Sequence, residues 1–301
     1  AELVGVFTVG CFLFLWVNLL IADRLAPLTL PNTPEDQTII RIRELTAKSR
    51  GKLRIALAVL IGIMLGLPAS SQWQEWTMFR NRQAFAVGDP LFKANVGFYV
   101  FRLPFAQFVV SWAFGALVLV TIITTAFHFI NGSIRPQDRV QRVTSQAKVH
   151  LSVLLAIGTL LRAADYWLSK YQLTSSTRSV VRGALYTDVN AQLPALNLMV
   201  LVSLAVTALL LWNIRQKGWR LPVLAIGLWI VVALAVGTVY PAIIQRFVVQ
   251  PNVSTRELPF IQRNIVATKA AMGISDVTRQ DTAFSDISAA DVTTNDAALR
   301  D

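Results

Sequence analysis

The 301 residues are 54% hydrophobic and only 15% charged, with a mean hydropathy of +0.52. Soluble domains carry roughly 25% charged residues, so this composition excludes an ordinary soluble fold and points to a polytopic membrane protein. The net charge is +11, but in such a protein the placement of Lys and Arg matters more than their sum. A single cysteine, Cys11, excludes an internal disulfide and a Cys-based metal site within the chain, and two histidines leave little material for a metal centre.

Six apolar stretches are candidates to cross a hydrocarbon core of about 30 Å, which takes about 20 residues. They are 3–22, 53–67, 105–130, 149–167, 193–212 and 221–240. The second is short and the fourth is interrupted by charge. The first run lacks the basic start of a signal peptide and is too long for its core, so it is read as a span. The expected fold class is therefore an all-α polytopic membrane protein, with a helical bundle over 1–242 and an extracytoplasmic juxtamembrane segment over 243–301. The chain opens without Met and ends without a stop-like feature, which is the expectation for a piece of a longer protein.

Loops one, three and five hold fourteen Lys and Arg, against seven in loops two and four. The positive-inside rule then places the odd loops in the cytoplasm and the tail after Tyr240 outside. In loop one, Thr33-Pro34-Glu35-Asp36 is a good helix start, with an apolar stripe of Ile39, Ile42 and Leu45 among Arg41, Arg43, Lys48 and Arg50. That segment is either an interfacial helix on an anionic leaflet or a solvated connector. Loop two is rich in aromatics from Trp73 to Phe105, which suits the headgroup zone, or the sharper alternative of a ligand vestibule. Loop five, Asn213–Arg220, is short enough to make a tight hairpin. In the tail, Asp276, Asp281, Asp286, Asp291, Asp296 and Asp301 recur every five residues. That is neither the helical nor the strand period, so the acids share no face.

The organising stretch is 240–273, where the last apolar run is handed to polar chain. Pro241 marks a point where a helix can break, and Gln250-Pro251-Asn252 reads as a turn. A helix-like run follows, with Ile261, Ile265, Thr268 and Met272 at three- and four-residue spacing.

No phosphate-loop, zinc-protease or nucleophile-elbow motif is present. Basic residues spread over both sides argue against nucleic acid as a partner. His128 and His150 fall at span ends, where interfacial or dipole-capping roles predominate over a relay or ligand pair. The intramembrane polar candidates are Arg162 and Asp165, three residues apart on α-helical spacing and able to pair. At about 1.5 Å per residue from Val149, Arg162 lies about 20 Å across, within snorkelling reach of the outer surface. The alternative is a path for an ion or substrate.

Three stretches carry a family resemblance. One is Asp89-Pro90-Leu91-Phe92 with Gly97-Phe98-Tyr99-Val100-Phe101-Arg102-Leu103-Pro104-Phe105. Another is Tyr171-Gln172-Leu173 followed by Gly183-Ala184-Leu185-Tyr186-Thr187-Asp188-Val189. The third is Tyr240-Pro241, Gln245-Arg246-Phe247-Val248-Val249, Pro251-Asn252, Glu257, Pro259, Ile261, Asn264-Ile265 and Thr268. Together they resemble uncharacterised protein family 0182 of bacterial membrane proteins. Asn95, Val253, Lys269 and Met272 depart from the pattern associated with that family.

The resemblance implies about seven N-terminal spans and then a large extracytoplasmic domain, of which this chain would carry only the entry. It also implies a multi-pass protein of the bacterial inner (plasma) membrane, or of another internal energy-transducing membrane. It supplies no catalytic residue and no cofactor. The functional expectation is a non-enzymatic anchor or scaffold that docks other membrane subunits, with a transporter component using Arg162 and Asp165 as the alternative.

Overall fold

The computed structural model describes residues 2–27, 41, 49–135, 143–177, 183–277 and 289–294. The loop-one helix expected from Thr33 and all the tail aspartates except Asp276 and Asp291 lie outside the described residues. The chain divides into two compact units, 1–257 and 258–301.

The helices are α1 (Glu2–Arg24), α2 (Arg50–Gly66), α3 (Trp73–Arg80), α4 (Leu103–Ile130), α5 (Ser145–Gln172) and α6 (Leu193–Gln216). They continue with α7 (Arg220–Leu234), α8 (Tyr240–Ile244), α9 (Val253–Ala271) and α10 (Ala289–Thr294). Joined to their adjoining 3-10 and π turns, they make six helical runs among the described residues that are long and apolar enough to cross a membrane. The fold is all-α and polytopic. Large side chains such as Ile122, Leu201, Leu224 and Leu228 are more than half exposed on the outward faces. A helix that is apolar all round needs an apolar solvent, which is what lipid provides.

Within the first unit α1 packs on α2 and α4, α5 on α4 and α6, and α6 on α7. The α1–α2–α4 core gathers Cys11, Leu15, Leu19, Ala58, Ile61 and Val120. The core that joins α5, α6 and α7 gathers Ala156, Val206, Leu210 and Ala225. Alanine and glycine at such seams let helix backbones approach, which matters in lipid because no hydrophobic force drives helices together there. The tightest approach is at α2. A Cβ added at Gly62 would come within 3.0 Å of the Thr8 carbonyl oxygen, and one at Gly66 within 2.8 Å of Thr8 Cα.

Local signals set several boundaries. Thr144, extended at ψ 150°, caps α5 by accepting the Ala147 N–H at 3.3 Å. Lys217, in the left-handed region at φ 52°, ends α6. The Asn213 side chain donates to the Gly218 carbonyl at 2.9 Å, which closes the short α6–α7 hairpin.

The sequence expectation fails at the end of the last span. Pro241 does not break the helix, and 250–252 is not an open turn. A π turn at Ala235–Val239 precedes Pro241, a second at Gln245–Val249 follows, and Gln250–Asn252 is 3-10 helix leading into α9. Proline lacks a donor at the start of α8, and the widened π turn accommodates that loss without ending the run. The second span also differs from the expectation. It runs on from Gly66 through a 3-10 segment at Leu67–Gln72 into α3, so the first part of loop two is helical.

Candidate functional site

Two groups of polar residues lie at opposite ends of the first unit. At the end formed by the even loops, α5, α6 and α7 surround a cavity of about 510 Å³. Arg162 and Asp165 reach it from α5, together with Tyr166. Asp188 and Gln192 reach it from the π turn before α6, and Thr238 from the π turn after α7. Two widened turns thus aim side chains into one cleft, a placement that π turns often serve at functional sites.

Arg162 donates to Asp165 at 2.8 Å, and the two side chains are 31% and 23% exposed. Its guanidinium also lies 5.2 Å from the Phe114 ring centroid and 4.9 Å from that of Tyr166. A carboxylate and two aromatic faces together replace part of the water around the guanidinium. Asp188 is fully buried and accepts the Leu185 N–H at 3.2 Å.

Beside the cleft, residues far apart in sequence are joined. Glu257, only 5% exposed, accepts the Tyr186 N–H at 3.0 Å. The Thr187 hydroxyl donates to the Gln245 side-chain carbonyl. Arg256 stands 5.3 Å from the Tyr186 ring centroid. The run from α8 into the start of α9 is thereby tied to the turn before α6. Pro241 is buried in the same run, whereas Pro251 and Asn252 are exposed and join none of these bonds. Asn264 belongs to the second unit.

Asp89, Pro90 and Tyr99 form a separate turn. Asp89 Oδ2 accepts the Phe92 N–H at 2.5 Å and the Tyr99 hydroxyl at 3.2 Å, while the Asp89 N–H donates to Ala94 at 2.8 Å. Phe92 and Phe98 each bring their rings 5.0 Å from Tyr171, so the turn is packed against the end of α5. Asn95, one of the departures from the family pattern, both accepts from the Phe85 N–H at 3.0 Å and donates to the Phe85 carbonyl. An ionised carboxylate could do only the first.

At the end formed by the odd loops, the two histidines that the sequence offered as the lesser alternative of a pair do meet, and they are joined by Asn18, which sequence reasoning missed. His128 and His150 are buried, at 0% and 7% exposure, with His128 in the last turn of α4. His128 Nε2 is 3.0 Å from His150 Nδ1, and His150 Nε2 is 3.0 Å from Asn18 Oδ1. Asn18 spends its amide N–H on the Phe14 carbonyl at 2.7 Å, which turns its oxygen toward His150. With neutral rings, His150 then donates from Nε2 and accepts at Nδ1 from His128 Nε2–H. Near the same end Asp23 pairs with Arg54 at 2.8 Å and accepts from Asn131 at 3.2 Å. The chain α1–α5–α4 is a polar clasp in an apolar bundle. The available sequence signal was Asn18, a lone amide among apolar residues of α1. No group of three His, Cys, Asp or Glu placed to hold a metal occurs among the described residues.

The family model described as Uncharacterised protein family (UPF0182) matches residues 1–301. The chain belongs to UPF0182. A UPF0182 protein of Frankia casuarinae is 40% identical over 268 residues, covering 89% of this chain and 26% of the relative. One of Thermobifida fusca is 40% identical over 253 residues, covering 84% of this chain and 25% of the relative. One of Streptomyces coelicolor is 34% identical over 262 residues, covering 85% and 26%. The chain thus spans about a quarter of the length of these UPF0182 relatives. No solved structure matches it.

Proposed function

We propose that this region of UPF0182 is a non-enzymatic membrane anchor and scaffold. Its bundle holds the start of the helix that leaves the membrane, up to Glu257, and offers its outward faces to other membrane subunits. The observation that supports this reading is the linkage of Tyr186 to Glu257 and of Thr187 to Gln245. Residues that carry the family pattern spend their polar groups on one another at the point where the chain leaves the last span. Polar groups bonded in this way position a helix. In the proposed topology the odd loops face the cytoplasm of a bacterial inner membrane, in keeping with their twofold excess of Lys and Arg. The test is purification of the full-length protein from its native membrane in mild detergent, followed by mass spectrometry. A stoichiometric membrane partner is the expected result, and a protein that always purifies alone removes the docking role.

A second reading, a transporter component, draws on the cavity of about 510 Å³ lined by Arg162 and Asp165. It requires substrate flux in vesicles that falls when both are neutralised. Unchanged flux in the Arg162→Gln, Asp165→Asn double variant eliminates these residues as a path.

A further inference from the structure

The polar cleft has an apolar continuation. Along α5, Leu155, Gly158, Arg162, Asp165, Ser169 and Gln172 follow one another at three- and four-residue steps, so they form one stripe. From Leu155 to Arg162 the stripe lines an apolar groove of about 250 Å³, which α4 walls with Phe114 and Leu117. From Arg162 onward it lines the polar cleft. Across the gap, Ile226 and Trp229 of α7 face the apolar half, and Ala233 and Gly237 the polar half. Arg162 is the residue common to both. At about 1.5 Å per residue the stripe is about 25 Å long, comparable to one lipid molecule set along the helices.

Among the described residues, the charged groups lining the polar half are Arg162, Asp165 and Asp188, of which Asp188 is fully buried and bonded to the Leu185 N–H. A purely anionic group there would meet Arg162 beside the Asp165 carboxylate, and a purely cationic group would meet Asp165 beside Arg162. A group carrying both a phosphate and an ammonium satisfies both signs. The Asp165 bond leaves the guanidinium further N–H donors for a phosphate.

We propose that the α5–α7 groove is a binding site for one phospholipid with a zwitterionic amino-phosphate headgroup. The phosphate meets Arg162, the ammonium meets Asp165, and an acyl chain lies along Leu155, Gly158, Ile226 and Trp229. Gly158 keeps the floor of the groove low, since a Cβ there would already touch Leu117 at 3.4 Å. The wide turn at Ala235–Val239 sets Gly237 and Thr238 at the mouth. The site does not rest on the scaffold reading, and it takes the same cavity that the transporter reading assigns to a substrate path.

The test reconstitutes the full-length protein in vesicles doped with phosphatidylethanolamine carrying a photoactivatable acyl chain, and maps the crosslinks by peptide mass spectrometry. Labelling is expected to concentrate on 154–162 of α5 and 226–233 of α7, above the exposed face of α6 at Leu201 and Leu204. Unlabelled phosphatidylethanolamine competes it away, and a phosphatidylglycerol probe of the same design gives only the α6 level. The Arg162→Gln, Asp165→Asn double variant lowers groove labelling about tenfold, as expected for the loss of roughly one charge-assisted contact. Gly237→Phe, at a position with open space around a built Cβ, fills the cleft and has the same effect without touching a charge. Equal labelling by the two probes means that only the tail binds and overturns the headgroup assignment. Even labelling of α5, α6 and α7 means ordinary solvating lipid and overturns the site.

Discussion

Glu257→Ala is the sharpest test of the link between the exit helix and the bundle. The Glu257 carboxylate is 5% exposed and accepts the Tyr186 N–H at 3.0 Å across 71 residues of sequence. A hydrogen bond to a charged group contributes about 1.5–3 kcal/mol, and its removal leaves a partly buried N–H without its acceptor. Each 1.4 kcal/mol is a factor of ten in an equilibrium constant, so local opening around Tyr186 should become roughly ten- to a hundredfold more frequent. Hydrogen–deuterium exchange of the peptide spanning 183–192, measured on the full-length protein in lipid, reads this directly. Glu257→Gln keeps a neutral acceptor of the same shape and should fall between Glu257→Ala and the parent. Exchange in α1 should not change in either variant. If the 183–192 peptide exchanges at the parental rate in Glu257→Ala, the bond does not hold the exit helix, and the scaffold reading loses its support.

Three further outcomes follow from the packing. Asn18→Ala removes the acceptor of His150 Nε2–H inside the bundle and should cost roughly 1–2 kcal/mol. Cys11, 2% exposed on the same helix and the only cysteine of the 301 residues, should then react measurably faster with a membrane-permeant maleimide. Gly66→Leu forces a side chain against Thr8 and should separate α1 from α2, at a cost of about 2–3 kcal/mol typical of overpacking, read as a lower melting temperature in detergent. Asp165→Asn alone leaves the Arg162 charge without its carboxylate and should destabilise by about 1–2 kcal/mol. The Arg162→Gln, Asp165→Asn double variant should be more stable than that single one, and the reverse order would show that the pair does not act as a unit.

The sequence by itself determined the solvent and the helices. Runs of apolar residues about twenty long cannot be hydrated, and in lipid their backbone polar groups have to be satisfied within the helix, so six spans follow from composition and length alone. The Arg162–Asp165 pair was equally legible, because residues three apart on a helix meet wherever the helix lies. Pro241 misled because proline's missing donor ends a helix only where nothing absorbs it, and the two π turns on either side were not visible in the residue types.

The tertiary structure alone decided which distant groups meet. His150 finds Asn18 across 132 residues, and Tyr186 finds Glu257 across 71. No period in the chain encodes either pairing. Each depends on the order in which helices pack, and that order is set by many small contacts distributed along whole helix faces rather than by any local pattern.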